Sequence, residues 1–410
     1  MAVAVDASLE ACVLECAKVV DGAEGLAEGL LDIVEWRETP RFWPEGRSSW
    51  VELEEPRGTT SPVLPTIRGL KLKGVGLGDA ESAVPPSAAQ AYHHENPHIG
   101  ITNDGDFVVV EAEPAPLGGI FLDRAEREFR NAALLLECGC PSVAPVAVYE
   151  YRGLSAEWSN GRRLGAVLTA SSSSSPMRAD VLLTDEPCGD TDRGRVCTMM
   201  VDALGPDHFK AVNALAFEYG RTLRQFHEAG LFRHNAFPHN YYYDSELQRV
   251  VLIDLDSSRP LAECGAARRP LEILRDVASG VYNLGLAFLE NAARYDPSEV
   301  GPEPFASLLA GYFDLDSESS KPAVVRFLPH FSASLGRMRE HADALKDAPD
   351  DQLLLYCWMN RAYAYTTLIC DLVPLFVSSP LAGRFPLTIS ADDLAARVDH
   401  FIATRPRVRL

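Results

Sequence analysis

The hydrophobic pattern of this chain changes period near residue 188, and that change constrains the fold more than any other feature. From about 37 to 187 the apolar runs are short and β-type: WVELEE, TIRGLKLKG, GITNDGDFVVVEA, VAPVAVYEY and GAVLTA. Beyond it the period is helical. Phe209, Val212, Leu215, Ala216, Tyr219, Leu223 and Phe226 trace one face, and 268–290, 304–314, 321–345, 351–377 and 390–404 repeat the pattern. A small β-rich lobe followed by a larger helical lobe is one α+β architecture that fits, and no internal repeat of 20 to 50 residues competes with it.

Within that outline, residues 7–36 place Leu9, Val13, Cys16, Val20, Leu26, Leu30 and Ile33 at spacings of three and four, which predicts one or two leading helices. Asp104-Gly105 marks a hairpin turn of the kind that needs positive φ. The stretch FLDRAEREFRNAALLLECG sets Leu122, Ala125, Phe129, Ala132, Ala133 and Leu136 on one face and ends at Gly139-Cys140-Pro141. A mostly antiparallel sheet with one inserted helix is expected there. Ser171 to Ser175 reads as a turn between strand-like runs.

Composition narrows the function classes. Lys and Arg total 38 against 58 Asp and Glu, a formal net charge of −20 spread along the chain. A phosphate polymer needs a basic footprint, so nucleic acid is not an expected partner. The 9 cysteines contain no CxxC pair and no Cys/His cluster of zinc-ligand spacing, which points to reduced thiols and a cytoplasmic setting. The amino terminus carries Asp6, Glu10 and Glu15 where a signal peptide would be apolar. Leu353 to Val377, the most hydrophobic stretch, contains Asn360, Arg361, Asp371 and Pro374 and reads as a buried helix rather than a membrane span.

The most informative stretch is 220–259, GRTLRQFHEAGLFRHNAFPHNYYYDSELQRVVLIDLDSSR. A helix ending near His227 is followed by a loop with Pro238 and Asn240, a tyrosine strand, a turn at Asp244-Ser245, and a strand VVLI that delivers Asp254. An amide and a carboxylate set beside each other by two strand ends make a hard-oxygen site suited to magnesium, the ion that accompanies ATP phosphates. Upstream, LKLKGVG alternates so that Lys71 and Lys73 share one face and Leu70 and Leu72 the other. A buried-facing lysine that pairs with phosphates needs a helix carboxylate to hold it, and Glu128 lies beside the apolar stripe of its helix.

Pro238, Asn240, Ile253, Asp254 and Asp256 resemble the catalytic loop and metal-binding segment of the protein-kinase-like superfamily, in the form written by aminoglycoside and choline phosphotransferases. Leu70 to Gly76, Arg127 to Phe129, Cys140 to Ser142 and Gly165 to Thr169 are similar, in order and rough spacing, to selenoprotein-O-type protein adenylyltransferases, which share the kinase fold. The resemblance covers about 70–260. It implies that Lys73 binds nucleotide phosphates, that Glu128 pairs with Lys73, and that Asn240 and Asp254 hold the metal. It also implies arginines after the GAVLT strand on the phosphates; Ala170 stands at the first place and Arg178 remains near the second. Where the superfamily has its catalytic-loop Asp this chain has Asn235, and an amide cannot accept a proton at neutral pH. His234 or His239 substitutes, or the chemistry needs no base, or there is no chemistry. His239 also stands where the adenylyltransferases carry an acidic residue.

These readings predict a kinase-like two-lobed α+β fold: a helical extension over 1–36, a small lobe over 37–187 and a helical large lobe over 188–410. The expected activity is transfer of a phosphoryl or adenylyl group from Mg-ATP to a hydroxyl of a peptide, protein or small molecule. The other reading is a pseudokinase scaffold that docks a nucleotide or a partner without catalysis. Pro56 to Ser61, with Gly58 and Thr59, is the best candidate for a loop capping phosphates, at even weight with a plain surface hairpin. Weaker candidates are His93, His94, Glu95 and His98 as a metal cluster, Cys138 and Cys140 as a redox pair, Tyr241 to Tyr243, and Arg268 and Arg269 as a dock for an acidic substrate; solvation, burial or packing accounts for each.

Overall fold

The computed structural model describes residues 9–42, 46–78, 82–92, 98–110, 113–173, 177–184, 191–233, 240–244, 247–290, 301–316, 318–326, 329 and 366–404. In chain order the first elements are β1 (Ala11–Cys16), α1 (Ala23–Gly29), α2 (Leu31–Val34), β2 (Gly46–Gly58), β3 (Thr66–Gly78), β4 (Ala83–Val84), β5 (Ser87–Tyr92), β6 (His98–Ile101) and β7 (Phe107–Val110). Then come β8 (Ala115–Leu117), β9 (Ile120–Phe121), α3 (Leu122–Glu137), β10 (Ala144–Ala156) and β11 (Arg162–Ser171). The later elements are α4 (Val181–Thr184), α5 (Asp192–Leu204), α6 (His208–Glu228), β12 (Leu231–Phe232), β13 (Tyr241–Asp244), β14 (Arg249–Leu252), β15 (Arg259–Pro260), α7 (Arg268–Glu290) and α8 (Glu303–Phe313). Helices α9 (318–326), α10 (366–377), α11 (Pro380–Arg384) and α12 (Ala391–Thr404) complete the described chain.

Two compact units share these elements, and both are discontinuous in sequence. The first comprises Met1–Glu95, Glu113–Met177 and Val251–Ser258; the second comprises Asn96–Ala112, Arg178–Val250 and Arg259–Leu410.

The first unit is built on a seven-stranded antiparallel sheet whose main path runs β1-β10-β11-β3-β2. Here the helical reading of 7–36 is corrected in its first part: Ala11–Cys16 is a strand, paired with β10 from Ala11↔Tyr151 to Cys16↔Ala147. The register shifts between Val13 and Glu15. Such a bulge moves the inward face by one residue, so Ala11, Val13 and Cys16 all pack against the core, at a spacing that imitates a helix. True helix follows only at α1 and α2.

The central strand β3 lies between β2 and β11, with Lys73 opposite Ser48 on one side and Val167 on the other. Its two faces meet different cores. Leu70, Leu72, Ala166 and Leu168 join the cluster under α1, while Val148 and Val167 pack against Ala125 and Phe129 of α3. The helix α3 ends where the sequence punctuates it, with Gly139 at φ 73 and the Gly139 amide donating to the Leu136 carbonyl.

The second unit is mainly helical. Close approach of α6 and α8 depends on Gly220, where a Cβ would sit 2.0 Å from the Leu308 carbonyl oxygen. The hairpin β6–β7 belongs here, held by Arg275 donating to the Ile99 carbonyl, Asn103 Oδ1 accepting from the Gly265 amide, and Arg397 on Asp106. Its turn is the one anticipated at Asp104-Gly105, with Gly105 at φ 87. The described part of the hydrophobic stretch 353–377 is helix α10, which buries Leu368, Ile369, Leu372 and Phe376. Among the described residues, no helix is long and apolar enough to cross a membrane.

Just after Lys73, Gly74 adopts φ 90, and a Cβ there would lie 2.7 Å from the Gly165 carbonyl oxygen. Gly74→Ala is expected to lower stability by roughly 1–3 kcal/mol through overpacking and strain, read as a fall in the urea midpoint.

Candidate functional site

Three stretches of the first unit converge on one side of its sheet. β3 contributes Lys71 and Lys73 on a shared face; because Val167, directly opposite Lys73, packs under α3, that face is the one the helix covers. α3 contributes Glu128. The third stretch, Ile253–Ser258, is positioned by the end of β14: the Leu252 amide donates to the Pro141 carbonyl and the Val143 amide to the Leu252 carbonyl. Asp254 follows with φ 61, a left-handed conformation that Asp tolerates better than most residues.

Lys73 is 6% exposed and Glu128 1%. The Lys73 ammonium lies 3.3 Å from Glu128 Oε2, 2.5 Å from Asp254 Oδ1 and 2.8 Å from Asp256 Oδ1. An ammonium carries three N–H donors, and three carboxylates receive them. Arg124 Nη2 adds an ion pair of 2.7 Å to Asp256 Oδ2, and Lys71 Nζ reaches Asp254 Oδ1 at 4.0 Å.

The charges set one another's protonation. Burial alone would lower the lysine pKa, but Asp254, Asp256 and Glu128 outweigh it and raise it well above the ordinary value, so Lys73 stays charged. Burial also opposes the ionised form of Asp256, yet Arg124 and Lys73 hold its carboxyl below the usual range. Glu128 moves the other way: its deep burial pushes its pKa up against the pull of Lys73 and Lys71.

The donor set fits a hard divalent cation. Glu128, Asp254 and Asp256 each offer an oxygen, and these oxygens lie within 4.8 Å of one another. Carboxylate oxygen is a ligand type that magnesium takes.

Of the residues singled out in the sequence, the structure therefore brings together Lys73, Glu128, Asp254 and Asp256. Gly58 and Thr59 sit at the far end of β2, where Gly58 pairs with Thr66 while Ser48 pairs with Lys73. There the Gly58 carbonyl accepts from the Asp21 amide, the Thr59 amide donates to the Pro65 carbonyl and the Thr59 hydroxyl to the Leu64 carbonyl. Arg178 opens the second unit ahead of α4, and Asn240, buried, precedes β13 in that unit. His234, Asn235, Pro238 and His239 lie outside the described residues, as do His93, His94 and Glu95. Cys138 is exposed and Cys140 buried, Tyr241 to Tyr243 are core residues, and Arg268 and Arg269 bond Glu272 and the Leu261 and Cys264 carbonyls.

Sequence reasoning matched Asp256 only as part of the metal-binding segment and gave no role to Arg124 or Asn131. The Asp-Leu-Asp spacing of 254–256 and the polar stripe at 124, 127, 128 and 131 were the available signals.

The second unit holds its own buried polar cluster. His227 Nδ1 lies 2.6 Å from the Tyr312 hydroxyl and its Nε2 3.3 Å from Asp276 Oδ2, which also accepts from the Arg233 amide. Arg275 joins Asp276 Oδ1 at 3.0 Å and Glu272 Oε2 at 2.7 Å. Asp276 thereby fixes the backbone at Arg233.

No family model and no curated protein matches the chain. Similar solved structures include WaaP in complex with acyl carrier protein, 14% identical over 60% of this chain and 88% of that one, with a TM-score of 0.33. Another is a Toxoplasma gondii specific rhoptry antigen kinase domain, 13% identical over 75% of this chain and 92% of that one, with a TM-score of 0.29. Scores this low assign neither fold nor activity, so the functional reading rests on the site itself.

Burial works against ionised Asp276, but Arg275 and the His227 and Arg233 hydrogen bonds bring its pKa down from 3.8 to about 2. A carboxyl depressed on folding stabilises fully above its unfolded value and loses that stabilisation as pH falls from 3.8 towards 2. Asp276→Asn is therefore expected to be destabilising at neutral pH and to flatten the loss of stability between pH 4 and 2, measured by urea unfolding across that window.

Proposed function

We propose that the chain is a Mg-ATP-dependent transferase of protein-kinase-like, two-lobed fold that moves a phosphoryl or adenylyl group to a hydroxyl of a peptide, protein or small molecule. One observation carries this reading: a strand lysine, a helix glutamate and an aspartate after a later strand meet at hydrogen-bond distance in a buried cluster. Phosphoryl-transfer enzymes of the kinase class need those three parts in that relation, the lysine on phosphate oxygens, the glutamate holding the lysine and the aspartate on the metal.

In this reading Glu128 aims the Lys73 ammonium, and the surrounding carboxylates keep it charged. Lys73 neutralises nucleotide phosphate oxygens, whereas Gly58 and Thr59, at the far end of β2 and bonded within their own turn, do not cap them. Asp254 holds magnesium, with Asp256 and Glu128 offering oxygens within 4.8 Å among the described residues. Magnesium, when bound, neutralises charge on the phosphates. Positioning and charge stabilisation then supply most of the rate, because Asn235 cannot act as a general base. His234 or His239 would take the acceptor proton in place of that base.

Asn235 also favours a second reading, a pseudokinase scaffold that binds a nucleotide or a partner without turnover. Calorimetric titration with ATP, with and without magnesium, followed by product analysis from α- and γ-labelled ATP, separates them. Magnesium-dependent binding with label on an acceptor supports the transferase, the position of the label deciding between adenylyl and phosphoryl transfer. Binding without transfer leaves the scaffold, and no binding removes the nucleotide reading altogether. Lys73→Ala and Asp254→Ala are each expected to cut transfer by at least about 100-fold, the scale of losing a main electrostatic contact to the transition state.

A further inference from the structure

The helix α3 spends a second face on something other than the sheet. Its apolar stripe, Ala125 and Phe129, packs on Val148 and Val167. Beside it, Arg124, Arg127, Glu128 and Asn131 follow at spacings of three, one and three, which aligns them along one side of the helix. Three of these four reach the same target directly. Arg124 Nη2 pairs with Asp256 Oδ2 at 2.7 Å, Arg127 Nη1 donates to the Asp256 carbonyl at 3.0 Å, and Asn131 Nδ2 donates to the Leu255 and Ser258 carbonyls at 3.0 and 3.1 Å. Glu128 meets the same segment through Lys73, whose ammonium also holds Asp254 and Asp256.

We infer that α3 is a brace for residues 254–258, and that Arg124, Arg127 and Asn131 are positioning residues that hold the Asp254 carboxylate in place through the backbone of its segment. Asp254 needs such support because its own backbone is left-handed, a conformation that relaxes unless neighbours over-determine it. Asn131 is well suited to this role, because both hydrogens of its amide are used on carbonyls three residues apart, which fixes the segment's curvature as well as its distance from the helix. A helix bound at both stripes cannot swing out and carry Glu128 away from Lys73 without releasing Asp254 as well. The lysine–glutamate pair and the metal-binding carboxylate are therefore engaged together, with no separate step that brings the helix in. This rests on the reading of Asp254 as a metal ligand only for its functional meaning; the brace itself stands on the contacts.

The test is amide hydrogen exchange on the full chain, paired with Mn2+ titration followed by electron paramagnetic resonance. Asn131→Ala and Arg124→Ala are expected to speed exchange at residues 255–258 by about tenfold or more and to weaken Mn2+ binding by about tenfold, while amides of β10 and β11 keep their protection. Arg124→Lys, which restores a cation at Asp256, should recover most of both. Arg127→Ala, which loses the bond to the Asp256 carbonyl together with an ion pair to Asp123, gives a smaller change of the same sign and serves if Asn131→Ala does not fold. Unchanged protection at 255–258 in these variants overturns the brace, and so does faster exchange spread equally over β10 and β11, which would mean general destabilisation. Faster exchange confined to 255–258 in a protein that binds neither Mn2+ nor ATP keeps the brace and removes the transferase reading.

Discussion

A lysine ammonium at the centre of a folded unit is stable only if its neighbours replace water completely, and most of the first unit is arranged around that requirement. Taking one such ion out of water costs several kcal/mol even after relaxation. Lys73 is compensated by carboxylates from two separate stretches, Glu128 from the helix and the Asp254–Asp256 pair from the segment after β14. Asp256 in turn needs Arg124. Removing any member would leave an opposite charge buried and unmatched, so the cluster behaves as one object rather than as a set of pairs.

The geometry that makes this possible is the alternation of β3. Its odd-numbered positions 71 and 73 face α3, while Leu70 and Leu72 enter the larger apolar core. One strand thereby anchors the sheet and presents the cation. Gly74, at positive φ and close to the Gly165 carbonyl, bends the strand immediately after the lysine. The Tyr151 hydroxyl donates to the Gly74 carbonyl, so the bend is satisfied by hydrogen bonding rather than left open.

What the sequence revealed follows from which signals are local. The helix 122–137 was legible because an apolar stripe, a glycine and a proline lie within twenty residues, and Lys71 and Lys73 were legible from a period of two. Glu128 and Asp254 emerged because each sits at a fixed offset from its own strand or helix. β1 was misread because its bulge converts the period of two into spacings of three and four. The partners of Asp256 and Asn131 were invisible for a different reason. Their contacts join residues more than a hundred positions apart, and nothing near Asn131 distinguishes it from any other polar residue on a helix. The His227–Asp276–Tyr312 cluster was missed for the same cause. The hairpin β6–β7 leaves the first unit at Glu95 and returns at Glu113, a detour that changes neither composition nor period.

The interleaving of the two units also bears on how the chain is made. The first unit is complete only when Val251–Ser258 has been synthesised, although its sheet and α3 are finished by Ser171. Translation at about 5–20 residues per second leaves an interval on the order of ten seconds in which Lys73 has Glu128 but neither aspartate. During that interval Lys73 lacks two of the three carboxylates that it pairs with in the folded unit. The closing segment arrives only after α6 and β13 have emerged. The stretch that carries the acidic residues 254 and 256 is thus the last that the first unit receives.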